Sequence, residues 1–468
     1  MSDKKYQIKA KVKAVNPATG EYESAGVIAY NELGGQWGFV YSEKYKGELD
    51  PINLPKGKDR AFLFKGNNLP GVFNDLLPGE FVDTKLQLMI PGYKEKDKIG
   101  RLLELGSRDN RGIRIEVGGN ALYGLEPKPD TLKDFDERMK SYGHKSWFDN
   151  EELDMIQDKA GCINFLAKSY SKQNQLARVI GPDHKEYLIK QYPPSGSSLN
   201  RVRLEKTAQD LARASGAKVP DSKIIKLPIG TEALIQRRYD VFEDIEIVRR
   251  TVSIKTLLKS ESMHGIHYNK VAEKMGEIEG YVKGAEESVE QSNLLIGNKI
   301  DLFRVSLINH VINNIDNHGE NMEMMIREDS RWEMSPIYDL GFFNDPQELM
   351  SAYYGDPPIH NASITDDAFV LDAWESLDIP VSSDLAFQIR DDVVFAVKND
   401  LPKIMENNGV SLGSDGKKSR EMSHIITSIA VQHPDLASEL SQTMISEFEN
   451  ERVKKIANES SKSIGMER

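Results

Sequence analysis

Polar and apolar residues alternate at the start of the chain. Tyr6, Ile8, Ala10 and Val12 are interleaved with Gln7, Lys9, Lys11 and Lys13. That two-residue period predicts a half-buried strand. NELGGQWGFVYS places a Gly-Gly turn signal before an aromatic strand, and FKGNNLPGVFNDLLPGEFVDTKLQ reads as turn, short helix, turn, helix. Residues 1–95 therefore form an expected β-rich subdomain. Residues 96–155 are charged and rich in Gly and Pro and read as a connecting region, with an N-cap at Asp130 or Thr131 before a short helix. QLARVIG and EYLIKQYP are two strands around the turn GPDHK. In LNRVRLEKTAQDLARASGAKVP, Leu204, Ala208, Leu211 and Ala212 recur at helical spacing, Gly216 supplies the C-cap and Pro220 follows. DSKIIKLP and TEALIQRRYD return to strands, so residues 156–260 make a small mixed lobe. Residues 261–468 read as mostly helical, beginning with a Glu- and Lys-rich solvated helix over about 265–291 and the apolar-faced NKIDLFRVSLINHVINNI. The expected class is α+β: a β-rich N-terminal subdomain, then a two-lobed body with a helical C-terminal lobe.

Composition narrows the function. The 468 residues suffice for two or three domains of roughly 100–200 residues. Cys162 is the single cysteine, which excludes an internal disulfide and a Cys-based zinc site. MSDKKYQIKAKVKAV has no apolar h-region, and no run reaches the roughly 18 apolar residues of a spanning helix. The expectation is a soluble, cytoplasmic chain with no membrane partner. A net charge of −12 argues against direct nucleic-acid binding, which needs a basic face, although Arg237–Arg238 and Arg249–Arg250 are local basic pairs.

The densest chemistry lies in IDNHGEN and SPIYDLGFF. Asp316 precedes Asn321 by five residues, and Asp339 follows at a distance. An acid that orients a hydroxyl nucleophile, then an amide and a second acid that hold Mg²⁺ on nucleotide phosphates, is the set a metal-dependent phosphotransferase needs. Taken singly, Asp316 and Asn321 are ordinary turn residues, and acids often follow strands; order and spacing lift the set. His318, between them, braces the loop. Lys190 lies on a strand, and Glu205, early in the next helix, is its candidate partner; a surface lysine and a helix-dipole glutamate are the plain alternative. AKSYSKQNQLARVI occupies the place of a phosphate loop without a glycine, leaving Ser169, Ser171 and turn amides, with Lys172, to cradle phosphate. His264 and His267 are too isolated for a metal site, and GSDGKKS has the wrong glycine spacing for a Walker loop.

These residues resemble the HipA-like toxin kinases of bacterial toxin–antitoxin modules. NELGGQWGFVYSEKY and PGVFNDLLPGE are similar to that family's first domain, EYLIKQYP to its lysine strand, LEKTAQDLARASGAKVPDSKII to its helix and following strand, and ALIQRRYD to its hinge. IDNHGENMEM matches its Asp-x-His-x-x-Asn loop and SPIYDL its metal-binding strand end. The resemblance implies a protein-kinase-like two-lobed fold and a serine/threonine protein kinase with ATP and Mg²⁺ as cofactors. It implies that Lys190, braced by Glu205, contacts ATP phosphates, that Asp316 acts on the substrate hydroxyl, and that Asn321 and Asp339 bind the metal. Residues around Leu234–Arg237, with Gln236 where the family commonly has Glu, pass the adenine. The family's phosphate loop is represented by SYSKQNQ: Gln173 fits, Ser171 stands at the glycine position and Gln175 at the lysine position. Implied partners are a translation component such as an aminoacyl-tRNA synthetase as substrate and a DNA-binding antitoxin, with growth arrest as the outcome and Ser169 or Ser171 as sites of self-phosphorylation.

Two other classes stay open on sequence alone. A pseudokinase or binding module would use the same shell to hold an antitoxin or other protein, which the missing loop glycines favour and the intact Asp316, Asn321 and Asp339 disfavour. A small-molecule phosphotransferase of the aminoglycoside or choline kinase type shares the Asp-x-x-x-x-Asn logic but does not account for the N-terminal strand domain.

Overall fold

The computed structural model describes residues 6–31, 34–55, 61–77, 87, 92–105, 111–117, 130–131, 156–157, 163–164, 175–180, 185–192, 199–226, 232–241, 249–260, 265–280, 291–345, 352–353, 362–410 and 418–446.

The first sheet holds β1 (Tyr6–Val15), β2 (Tyr22–Asn31), β3 (Gln36–Tyr41), β4 (Ala61–Phe64) and β5 (Ile113–Val117) in the order β4-β3-β2-β1-β5, every neighbouring pair antiparallel. Ala10, Val12 and Ala14 face its core with Ile28, Phe39 and Phe73. Ile8, expected on that apolar face, is instead 61% exposed, because a register shift between Ile8 and Ala10 breaks the alternation. α1 (Gly71–Asn74) covers the sheet together with α2 (Lys98–Leu105), whose Ile99 and Leu102 are buried in the same core. The unit therefore runs past residue 95, where the sequence places its end. Ile113 and Ile115 alternate with Arg114 and Glu116, and that short stretch suffices to add β5 beside β1.

The second sheet carries the small lobe. β6 (Asp130–Thr131), β9 (Gln175–Ile180), β10 (Glu186–Gln191), β11 (Ser222–Lys226) and β12 (Glu232–Arg237) lie in the order β11-β12-β10-β9-β6; β7 (Ile156–Gln157) and β8 (Ile163–Asn164) pair separately. Asp130 and Thr131 were the expected N-cap. They pair in parallel with Val179 and Ile180 instead, so backbone pairing holds them extended. The short helix expected after them lies outside the described residues.

Across this sheet runs α3 (Arg201–Ala214), started by Asn200, whose side chain accepts from the Arg203 amide. Leu204, Ala208, Leu211 and Ala212 are buried as their spacing predicts. Gly216 follows with φ +81°, the left-handed conformation that closes a helix, and Ala217 N–H donates to Ala212 C=O over 3.0 Å.

The third sheet, β13 (Thr251–Ser253), β15 (Glu323–Ile326) and β16 (Trp332–Met334), has β15 in its centre. α4 (Ile254–Leu257) leaves directly from β13, and β14 (Ile266–His267) leads into α5 (Tyr268–Ile278). The sequence suggests a solvated helix here, yet Tyr268, Val271, Ala272 and Met275 form a buried stripe at helical spacing. Its charges pair with one another on the outer face, Lys270 with Glu273 and Lys274 with Glu277.

α6 (Asn293–Val311) is the central helix of the large lobe, buried along most of its length. Midway along it, the Asn298 amide donates to the Trp332 carbonyl over 3.0 Å and accepts from the Met334 amide over 2.9 Å, docking the helix on the edge of β16. After β17 (Ala352–Tyr353) come α7 (Asp367–Ser376), α8 (Asp384–Phe395), a π-helical turn (Ala396–Asp400), α9 (Leu401–Asn407), α10 (Arg420–Ala430) and a helical segment over residues 434–446. Among the described residues no helix is long and apolar enough to cross a membrane.

Candidate active site

Lys190 projects from β10, the strand between β9 and β12. Its Nζ lies 3.0 Å from both carboxylate oxygens of Glu205, one turn into α3. The same amine also pairs with Asp339. Burial opposes the ammonium, but the Asp339 and Glu205 carboxylates outweigh it and hold Lys190 well above its usual range, so it is charged. Burial raises the Glu205 carboxyl, with Lys190 working against that rise. Asp339 resists burial through Lys190, and with a smaller pull from His318 its carboxyl lies below the usual range.

Three polar neighbours complete the brace. Tyr192 donates its phenol to Glu205, and burial together with the carboxylate keeps that phenol well above its usual pKa. Gln209, one turn beyond Glu205, donates to Glu205 over 3.4 Å and to the Gln236 side-chain oxygen over 3.1 Å, while Ser222 donates to Gln209 over 2.6 Å. Gln236 therefore lies in β12 with its side chain turned to α3.

The second half of the site grows from the end of α6. Asn313 takes φ +49°, and its side-chain nitrogen donates to the carbonyls of Phe343 and Asp345, both at 2.8 Å, which turns the chain out of the helix. The loop folds on itself: His318 N–H donates to Asp316 C=O over 2.8 Å, and Asn321 N–H to His318 C=O over 2.9 Å. Asn321 Nδ2 also donates to the Asp316 carbonyl, at 2.9 Å. With the nitrogen so engaged, Oδ1 is the donor this side chain offers a cation. Asp316 is exposed while Asn321 is buried, so the first carboxylate is presented to solvent on a loop whose base is fixed. Asp339 is not on a strand end: β16 stops at Met334, and the acid follows in irregular chain at φ +55°. Aspartate is among the few non-glycine residues that adopt this left-handed conformation readily, which suits it to this position.

The structure brings Lys190, Glu205 and Asp339 into contact, and places His318 near enough to Asp339 to act on its charge. Ser169, Ser171 and Gln173 lie outside the described residues. Tyr192 and Gln209 were not singled out from the sequence, although both had a signal: Tyr192 shares the face of Lys190 at a two-residue period, and Gln209 is four residues past Glu205. Among the described residues no three His, Cys, Asp or Glu side chains gather as a metal cage. The oxygens of Asn321 and Asp339 fit instead a hard cation such as Mg²⁺, which takes one or two carboxylates and completes its shell with water and phosphate.

A family model described as the HipA-like C-terminal domain matches residues 156–398. The chain belongs to the HipA-like C-terminal domain family. The match spans both halves of the site, from the strands before Lys190 to the helices beyond Asp339. In solved structures, this HipA-like chain is similar to one from the Shewanella oneidensis MR-1 toxin–antitoxin complex of HipA, HipB and operator DNA. The TM-score is 0.55 at 13% identity, covering 94% of this chain and 99% of that one. That likeness shows the fold, which is protein-kinase-like and includes the β-rich N-terminal region. The Helicobacter pylori proinflammatory kinase CtkA matches at a TM-score of 0.37 and 13% identity, over 59% of this chain and 90% of that one. A search of curated proteins found no match.

Proposed function

We propose that this HipA-like chain is an ATP-dependent serine/threonine protein kinase acting as the toxin of a toxin–antitoxin pair. The observation that carries this reading is the charged Lys190 held by Glu205 and meeting Asp339. A lysine fixed by a helix glutamate beside a metal-type acid is what phosphoryl transfer requires. Lys190 would hold ATP phosphates, and Asn321 and Asp339 would hold Mg²⁺, which neutralises the charge that develops on the transferring group. Asp316, exposed at the loop, accepts the proton of a substrate hydroxyl. A translation component such as an aminoacyl-tRNA synthetase is the proposed substrate. A DNA-binding antitoxin is the proposed partner, supported by the presence of HipB and operator DNA with the HipA of Shewanella.

Asp316→Asn and Asp339→Ala, each checked for an unchanged fold, are expected to abolish phosphoryl transfer from radiolabelled ATP to protein in lysate. Full activity in either variant refutes the assignment. A non-catalytic binding module is the second reading, favoured by the lack of glycine in residues 165–180. A thermal-shift titration with Mg-ATP separates the two, because a ligand that binds only the native state raises the midpoint. No shift at millimolar nucleotide supports the module.

A further inference from the structure

Residue 111 belongs to the N-terminal unit: it lies just before β5, in a turn where Val15 N–H donates to Gly112 C=O over 2.9 Å. Its φ of +55° is one that L residues other than Asn and Asp seldom adopt, yet it is an arginine. The side chain explains the choice. Arg111 Nη1 forms an ion pair with Glu323, 212 residues away, and donates to Thr251 Oγ1 over 3.3 Å.

Glu323 is buried and begins β15, two residues after Asn321. Its other oxygen accepts from the Tyr239 phenol over 3.2 Å. The Tyr239 ring stacks on Tyr338 with centroids 5.7 Å apart, and Tyr338 precedes Asp339 in the chain. The Tyr338 phenol in turn donates to the Glu320 carbonyl over 2.9 Å, closing a ring of contacts between the two segments that carry Asn321 and Asp339.

A second strut from the N-terminal unit meets the same loop. Asp75 accepts from Ser253 Oγ over 3.0 Å and Thr256 Oγ1 over 2.7 Å, seating the start of α4. From there Ile254 N–H donates to Met322 C=O over 2.9 Å and Lys255 N–H to Gly319 C=O over 3.0 Å. A Cβ on Gly71 would come within 2.5 Å of Thr256, so the approach of α1 to α4 is close and leaves no slack.

We propose that Arg111 is a positioning residue. Through Glu323, Tyr239 and Tyr338 it holds the Asn321 and Asp339 segments in register, so that breaking the Arg111–Glu323 ion pair loosens the candidate metal site. The proposal rests on the kinase reading for its functional meaning, but the mechanical link is testable without it.

Hydrogen exchange on the full chain tests the link. Arg111→Met is expected to speed exchange about tenfold in peptides covering residues 316–326 and 335–340, with α8 and α10 unchanged. Arg111→Lys keeps a cation and restores part of the protection. Val12→Ala, in the core of the N-terminal unit and away from the network, leaves the two loop segments as protected as in the parent. Unchanged loop exchange in folded Arg111→Met overturns the proposal. So does faster exchange spread over the whole chain, or the same loop effect from Val12→Ala. In the active protein Arg111→Met also raises the Mg²⁺ concentration for half-maximal turnover about tenfold, more than it raises the KM for ATP. Absence of phosphoryl transfer in the parent chain would sink the kinase reading while leaving the exchange result to decide the link.

Discussion

Replacing Lys190 with Met leaves Glu205 and Asp339 facing each other without their shared cation. Removing one partner of a buried ion pair costs about 3–5 kcal/mol, because the other charge stays desolvated. Glu205 carries most of that here: its side chain is 4% exposed, whereas Asp339 keeps 35% exposed and water screens it. Tyr192 and Gln209 still donate to Glu205, so about 3 kcal/mol at neutral pH is the reasonable expectation. The size should depend on pH. In the parent, Lys190 holds the Asp339 carboxyl below its usual range, so that contribution is complete above the ordinary Asp pKa and is lost as pH falls through the lower folded value. In the variant, burial keeps the Glu205 carboxyl above its usual range with no cation to oppose it, and the Asp339 carboxyl loses the charge that held it down, so protonation relieves the strain as pH falls. The two stability curves therefore converge in acid. Urea unfolding at several pH values, with Glu205→Gln and the double variant closing a cycle, reads the coupling, which we place at about 2 kcal/mol at pH 8. Parallel stability curves, or a coupling energy within error of zero, would refute the electrostatic argument.

His433 is buried, with Nδ1 3.0 Å from Ser363 Oγ and its ring 5.4 Å from that of His310; burial, aided by His310, pushes it down to about 3. The unfolded chain then binds the extra proton first, so stability falls between about pH 6.5 and 3, by about 2 kcal/mol at pH 5. His433→Asn should flatten that part of the urea midpoint–pH profile, and an unchanged slope would contradict the burial argument. Asn200→Ala removes the cap of α3 and a 2.6 Å bond to Glu232. It is expected to lower stability by about 1–2 kcal/mol and to raise KM for ATP through a looser Glu205, measurable by thermal melting and initial rates; an unaltered melt would refute the capping role.

The sequence was most readable where one element answers to one period. Leu204, Ala208, Leu211 and Ala212 gave α3 and its buried face, and Gly216 and Pro220 its end. It was least readable where pairing across distance overrides local preference. Asp130 and Thr131 are good caps, but a strand partner near residue 180 keeps them extended. Ile113 and Ile115 join the first sheet through five residues of β5, too short for periodicity to identify. Lys190, Glu205 and Asp339 could be named from spacing and likeness, but the direct contact of the lysine with Asp339 could not. Arg111 and Glu323 carry no local signal: an arginine in a turn and a glutamate opening a strand are unremarkable until the fold closes 212 residues between them.

Asn298 touches no residue proposed for chemistry, yet it governs two of them. Its one amide grips both the carbonyl of Trp332 and the N–H of Met334. The chain leaves its helix at Val311 for the loop of Asp316, and leaves the strand it grips at Met334 for the segment of Asp339. It is a fulcrum: any shift at this point is handed down both arms at once. An aspartate of the same shape at this buried position would lose the donor for Trp332 and leave that carbonyl without its partner amide.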